Sequence, residues 1–356
     1  MKATALVCDS DQRFSLEDVV LPQPKADEIA VETHYTGVSI GTEFALIRGK
    51  LSWGPYPICT GYMGTGVVTQ AGPDVRGFQT GDGVYFRANG GMKLPDGRSV
   101  SCVSGTHCSQ VVLNPDTTHG AAKLIPGARM DTACMFVMPA VGFYGVDMAG
   151  PRMGENVIVY GAGLIGLGVV AACSHRGCVV AAIDLGARQL EIARQLGADH
   201  TINGSRQDPA AEVEKIMPEG ADVVFECTGI PENLDRAIAL CRPLGSFVWQ
   251  GNYGAAPVSL HFLSPHTKRL RMFFPCDDGF QPCRRAVVKN MAMGVLPWEK
   301  TITHRIDWTE SPAMYERING GKERDIIGVV IRWPGAAESA GASAAGTSAG
   351  GSGATL

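Results

Sequence analysis

The residues best spaced to do chemistry together are Gly161, Gly163 and Gly166, in the run Gly161-Ala162-Gly163-Leu164-Ile165-Gly166, with a carboxylate, Asp184, eighteen positions further on. The apolar run Val157-Ile158-Val159-Tyr160 precedes these glycines and reads as a buried strand; Leu164 and Ile165 open a helix that runs to about His175. In such a strand–turn–helix the first glycine permits a tight turn. The second lets the backbone approach a pyrophosphate, and the third lets helix and strand pack closely. The phosphates then lie at the positive end of the helix. Asp184 ends the next apolar strand, where a carboxylate accepts hydrogen bonds from an unmodified adenosine ribose and repels a 2′-phosphate. The expected cofactor is therefore NAD rather than NADP. Arg188 lies beside the adenine on this reading, or is a solvated helix charge. Thr228, after the strand Asp222–Cys227, and Gln250 and Asn252, after Ser246–Trp249, complete the expected cofactor-binding set.

These residues need a frame. Strands separated by helix-length segments from 151 to 250 predict a parallel, doubly wound sheet. Residues 1–130 read instead as short β-runs between turns, such as Ile29–Thr33 and Gly66–Thr69. The expected class is α/β, and a chain of 356 residues is long enough for two domains. A hydrophobic fraction of 45% with 19% charged residues suits a globular protein, and a net charge of −4 gives no basic field for nucleic acid. The N-terminus lacks an apolar signal core, and the longest apolar run, 157–173, is broken by four glycines. The expectation is a cytoplasmic protein with no membrane partner. Eleven cysteines without a C-x2-C pair predict reduced thiols that mostly fill core space. Residues 335–356, almost all Gly, Ala, Ser and Thr, are expected to form a disordered tail.

Over residues 1–334 the chain resembles the medium-chain dehydrogenase/reductase family. The resemblance is carried by Gly61, Gly64-Thr65-Gly66-Val67-Val68, Ala71-Gly72, Val75, Phe78, Gly81-Asp82 and Val84, by Ala193 and Leu196-Gly197-Ala198-Asp199 with Ile202-Asn203, and by Thr303-His304-Arg305 and Gly328-Val329-Val330-Ile331. It implies a GroES-like, β-rich catalytic domain from residues 1–132 and 278–334, a Rossmann domain from 133–277, and a cleft at their junction. It also implies a homodimer or homotetramer acting on a small molecule. Where zinc-using members of the family carry metal ligands, this chain has Ile40-Gly41-Thr42-Glu43, Gly61-Tyr62-Met63 and the Phe136/Val137 region. Ile, Tyr, Met, Phe and Val do not supply the N, S and O donors that zinc needs, so no metal is expected.

Without a Lewis acid, a hydrogen-bond donor must stabilise the alkoxide that develops during hydride transfer. By resemblance Tyr62 points into the cleft, either as that donor or as an aromatic filling the vacated metal volume. Thr42 matches a hydroxyl that relays protons in alcohol-oxidising members. Glu43 reads as a base or, through hydrogen bonds, as an orienting group; His107 reads as an acid/base or a structural histidine. Arg87, Cys102 and Val103 are placed by resemblance along the substrate pocket, Arg87 suiting an anionic or polyhydroxylated molecule unless an ion pair consumes it. The reading is an NAD-dependent, metal-independent dehydrogenase for a secondary alcohol such as a sugar, cyclitol or other polyol. Its alternatives are a zinc-free NAD(P)H-dependent reductase of an activated C=C bond and a non-catalytic NAD-binding protein.

Overall fold

The computed structural model describes residues 1–51, 54–323 and 325–336. The N-terminal part is built on two β-assemblies. Strands β1 (Lys2–Cys8), β2 (Phe14–Val20), β4 (Ile58–Cys59), β7 (Met92–Lys93) and β8 (Ser99–Cys102) close a small barrel in the order β1-β2-β7-β8-β4. Strands β3 (Ile29–Val38), β5 (Gly64–Ala71), β6 (Gly83–Phe86), β9 (Gln110–Leu113) and β10 (Ala121–Lys123) form most of a seven-stranded sheet. The chain's last strands, β17 (Ile302–Asp307) and β18 (Gly328–Arg332), complete that sheet, β18 pairing antiparallel with β3. Its close pairing depends on glycine: a Cβ at Gly66 would lie 2.0 Å from the Glu32 carbonyl oxygen.

Between those halves lies an α/β unit. Its strands are β11 (Asn156–Tyr160), β12 (Val179–Asp184), β13 (His200–Asn203), β14 (Ala221–Glu226), β15 (Cys241–Trp249) and β16 (Arg271–Phe273), ordered β13-β12-β11-β14-β15-β16 and parallel throughout. Such strands are covered on both faces and read as unbroken apolar runs rather than alternating ones. β11 illustrates this. Val157 and Val159 pack with α3 (Val137–Ala149) and α4 (Leu164–His175), and Ile158 packs into a second cluster with Val213, Leu234 and Ile238 on the opposite face. Strand order reverses between β11 and β14, the place where open α/β sheets leave a crevice for ligands.

Helices α3 and α4 pack almost backbone to backbone. A Cβ at Gly142 would fall 2.7 Å from the Ile165 carbonyl oxygen, and one at Gly168 would fall 2.8 Å from Pro139 Cα. Helix α9 (Phe280–Ala292) lies against α3. One apolar core then crosses the junction, with Tyr85 of β6 and Met63 just before β5 packing with Phe136, Val137 and Leu167. Gly335 and Ala336, assigned by the sequence to the disordered tail, instead continue a helical turn after Trp333; both are buried, and the Ala336 amide donates to the Trp333 carbonyl. Residues 337–356 of that expectation lie outside the described residues. No helix among the described residues is long and apolar enough to cross a membrane.

Candidate active site

The glycine turn sits at the strand-order reversal. Gly161 has φ +101°, a conformation that L side chains avoid, and a Cβ there would meet Thr228 Cγ2 at 2.7 Å across the crevice. Gly163 caps α4 in extended backbone, and a Cβ on it would meet nothing within 4 Å. Gly166 is the packing glycine, since its Cβ would fall 1.9 Å from the Gly161 carbonyl oxygen. Leu164 is buried and Ile165 half-buried in the first turn of α4. Asp184 ends β12; one carboxylate oxygen accepts from the Ala162 amide (2.7 Å) and the other from the Gly186 amide (2.8 Å). Its carboxylate is thereby fixed beside the glycine turn, and it keeps lone pairs for ribose hydroxyls. An open, amide-rich helix start with an anchored carboxylate is a donor and acceptor set that a dinucleotide fits.

The remaining expected cofactor residues are distributed less simply. Thr228 donates its hydroxyl to the buried Glu226 carboxylate, which also accepts from Tyr253. Arg188 is exposed at the start of α5 (Ala187–Gln195), close enough to His304 to help hold that imidazole below its usual range, with burial the larger cause. Gln250 is buried against α3; its amide nitrogen donates to the Val141 carbonyl (3.1 Å) and its oxygen lodges in the notch left by Gly145. Asn252 is exposed and accepts from the Gly254 amide.

The candidate reacting groups converge on α1 (Ile40–Ile47). Ser39 is the N-cap of this helix, yet its hydroxyl makes no capping bond. The Glu43 side chain reaches back to accept from the Ser39 amide (2.7 Å), and the Ser39 hydroxyl accepts from the Tyr62 phenol. Thr42, half-buried on the same helix turn, lies close enough to the phenol to pull its pKa down. Tyr62 is carried by a loop whose Gly61 has φ +84° and no room for a side chain, a Cβ meeting His107 Cδ2 at 2.6 Å. The phenol packs against the apolar core that crosses the junction. Burial pushes it up to about 12, against the downward pull of Ser39, Thr42 and Arg87, so it stays protonated at neutral pH.

Behind this hydroxyl cluster lies a network that solvent does not reach. Glu43 and His107 are 1% and 0% exposed. Glu43 accepts from Tyr315 (2.6 Å) and pairs with His107 Nε2 (3.1 Å), while His107 Nδ1 pairs with the Thr36 hydroxyl, which also accepts from Trp333 Nε1 (2.9 Å). Burial raises the Glu43 carboxyl, but its charged and hydrogen-bonding neighbours, His107 first, outweigh that and hold it below the usual range. Both residues thus sit beneath Ser39 and Tyr62 rather than beside them, where they fix the loop and helix start.

A carboxyl lowered in the folded state contributes stability above its unfolded value, near 4.5, and loses it as pH falls through the folded one. Glu43→Gln is therefore expected to cost roughly 2–4 kcal/mol at pH 7. That deficit should shrink below pH 4.5, as read from urea midpoints of both proteins. A deficit independent of pH would refute the assignment.

Arg87 is spoken for. It is buried, its Nη1 pairing with Asp277 (2.6 Å) and Asp278 (3.1 Å). Cys102 packs on the barrel core with its thiol pushed up to about 11 by burial, and Val103 is buried at the end of β8; among the described residues neither hydrogen-bonds to the Tyr62 group. Of the positions that resemblance matches to zinc ligands, Phe136 is fully buried against Tyr85 and Val137 is buried in the same core. Among the described residues no three His, Cys, Asp or Glu side chains gather as a metal site. Sequence reasoning missed Ser39, Asp277, Asp278 and Tyr315. Only Ser39 carried a local signal, as a serine just before a helix.

Residues 25–134 match the alcohol dehydrogenase GroES-like domain, and residues 165–290 match the zinc-binding dehydrogenase family. The erythritol/L-threitol dehydrogenase of Mycolicibacterium smegmatis is 25% identical, over 92% of this chain and 98% of that protein. A probable D-xylulose reductase A of Arthroderma otae is 25% identical, over 90% and 95%. An Escherichia coli oxidoreductase/dehydrogenase of unknown specificity shares the fold, with a TM-score of 0.81 at 23% identity over 94% of this chain and 99% of that one. Two family matches in chain order, on the β-rich and the parallel-sheet halves, place this chain in the medium-chain dehydrogenase/reductase family.

Proposed function

We propose that the protein is an NAD-dependent, metal-independent dehydrogenase that interconverts a secondary alcohol, of the polyol class, and its ketone. The observation that carries this reading is the protonated Tyr62 phenol hydrogen-bonded to Ser39 beside Thr42, at a family position where zinc-using members carry a ligand. When bound, NAD accepts or supplies hydride. The work of the chain is to manage the proton and the oxyanion. In ketone reduction the Tyr62 phenol turns from Ser39 and gives its proton to the carbonyl oxygen; in alcohol oxidation the phenolate takes the proton of the alcohol, and Ser39 and Thr42 pass it on to solvent. Asp184 favours the unmodified ribose. The relatives named for erythritol and xylulose support a polyhydroxylated substrate. The same reading makes the protein a soluble cytoplasmic enzyme that assembles as a homo-oligomer.

The test combines cofactor, metal and pH. NADH should bind more tightly than NADPH, and exhaustive chelation should leave polyol oxidation intact. Because the phenol loses its proton only near 12, its basic form grows about tenfold per pH unit below that value. Oxidation is therefore expected to climb steadily from pH 7 to 10, while ketone reduction stays level. Activity lost to chelation and restored by zinc would overturn the reading, as would NADPH-dependent reduction of enones but not of ketones.

A further inference from the structure

We infer that Arg87 is a positioning residue that acts on substrate only through Tyr62, and that it is held in place from the facing side of the junction by Asp277 and Asp278. The inference rests on the reading of Tyr62 above, and it replaces the expectation that Arg87 binds substrate directly. Three contacts define the arrangement. The guanidinium carbon lies over the Tyr62 ring at 5.4 Å from its centroid. Arg87 Nε donates to the Tyr62 carbonyl (3.4 Å), so ring and backbone of one residue are gripped together. Nη1 then meets Asp277 and Asp278, which lie on the loop between β16 and α9.

That loop is itself tied down. Asp278 takes a two-pronged bond from Arg284 (2.6 and 2.8 Å), and Arg284 also donates to the Thr118 carbonyl (2.8 Å). Asp277 pairs with His119 Nε2 (2.8 Å). Asp277, Gly279 and Phe280 all have positive φ, so the loop adopts a costly shape that presents two consecutive carboxylates to Arg87. Two arginines and two aspartates balance in charge, so the cluster offers no net positive field to an anionic substrate. What Arg87 retains is its attraction to the ring face and its positive potential beside the phenol. Both hold Tyr62 in one rotamer and strengthen it as a donor. The ties also couple Tyr62 to the α/β unit, because the carboxylates move with β16 and α9.

A double-mutant cycle on the whole protein tests this. Arg87→Met is expected to lower kcat about tenfold with little change in KM or in NADH affinity, a coupling of the size found between touching residues. Arg87→Lys, which keeps the charge but not the fork, should recover part of the loss. In a Tyr62→Phe background, Arg87→Met should change kcat less than about twofold, since the group it acts through is gone. Should Arg87→Met fail to fold, Arg87→Met/Asp277→Asn removes both charges and enters the same cycle. Effects of Arg87 and Tyr62 that simply multiply would overturn the inference and leave the function standing. A rise in KM with unchanged kcat would return Arg87 to direct substrate binding. Wild-type kcat in Tyr62→Phe alone would sink the functional reading, and this inference with it.

Discussion

Tyr62→Phe is expected to lower kcat for ketone reduction by about 10²–10⁴-fold, the range found when a transition-state donor or general acid is removed. NADH affinity should stay near wild type. The change deletes one oxygen and keeps the ring, so the packing of residue 62 against the junction core and beneath Arg87 survives. Ser39 loses its donor, which costs folding about 1 kcal/mol, too little to mimic a loss of activity. The loss should fall on kcat rather than KM, because a neutral phenol grips a ground-state carbonyl only slightly better than water does and a developing alkoxide far better. A variant that kept wild-type kcat would sink the functional reading and leave Tyr62 as an aromatic that fills space.

Part of this site was legible because its information is local. The turn after β11 is announced by strand, glycines and helix within ten residues, and Asp184 by the next strand end; the structure places each where that grammar puts it. Glu43 was legible as an orienting group, since it follows a helix start and can bond backward onto it. What stayed hidden depends on contacts made through the fold. Arg87 meets Asp277 across 190 residues, and nothing in either neighbourhood foretells the pair. Tyr315 reaches Glu43 across 272. Gln250 was read as a cofactor contact from its place after a strand, yet Gly145 of α3 leaves a notch that its amide enters instead. A strand end fixes a residue's position but not its rotamer, which belongs to whatever packs against it. The burial of His107 follows the same rule: Gly61 lies on its ring, and that approach exists only once the loop is folded.

Two glycines of the turn are expected to separate folding from cofactor binding. A methyl group at Gly166 would stand 1.9 Å from the Gly161 carbonyl oxygen and 3.3 Å from Val159 Cγ1. Helix α4 must then retreat from β11, so Gly166→Ala should cost about 1–3 kcal/mol of stability as well as weakening NADH binding. Gly163 has ordinary extended backbone, φ −69° and ψ −179°, and open space where its Cβ would be. Gly163→Val should therefore leave stability within about 1 kcal/mol of wild type. Its side chain would nonetheless fill the approach to the start of α4, weakening NADH by about 100-fold or more, roughly 2.8 kcal/mol. Thermal unfolding and NADH fluorescence titration read the two effects separately. Wild-type NADH affinity in Gly163→Val would mean that no pyrophosphate lies over this turn. Asp184 would then be a carboxylate that serves only to close the loop, since its two amide partners, Ala162 and Gly186, are all that such a role requires.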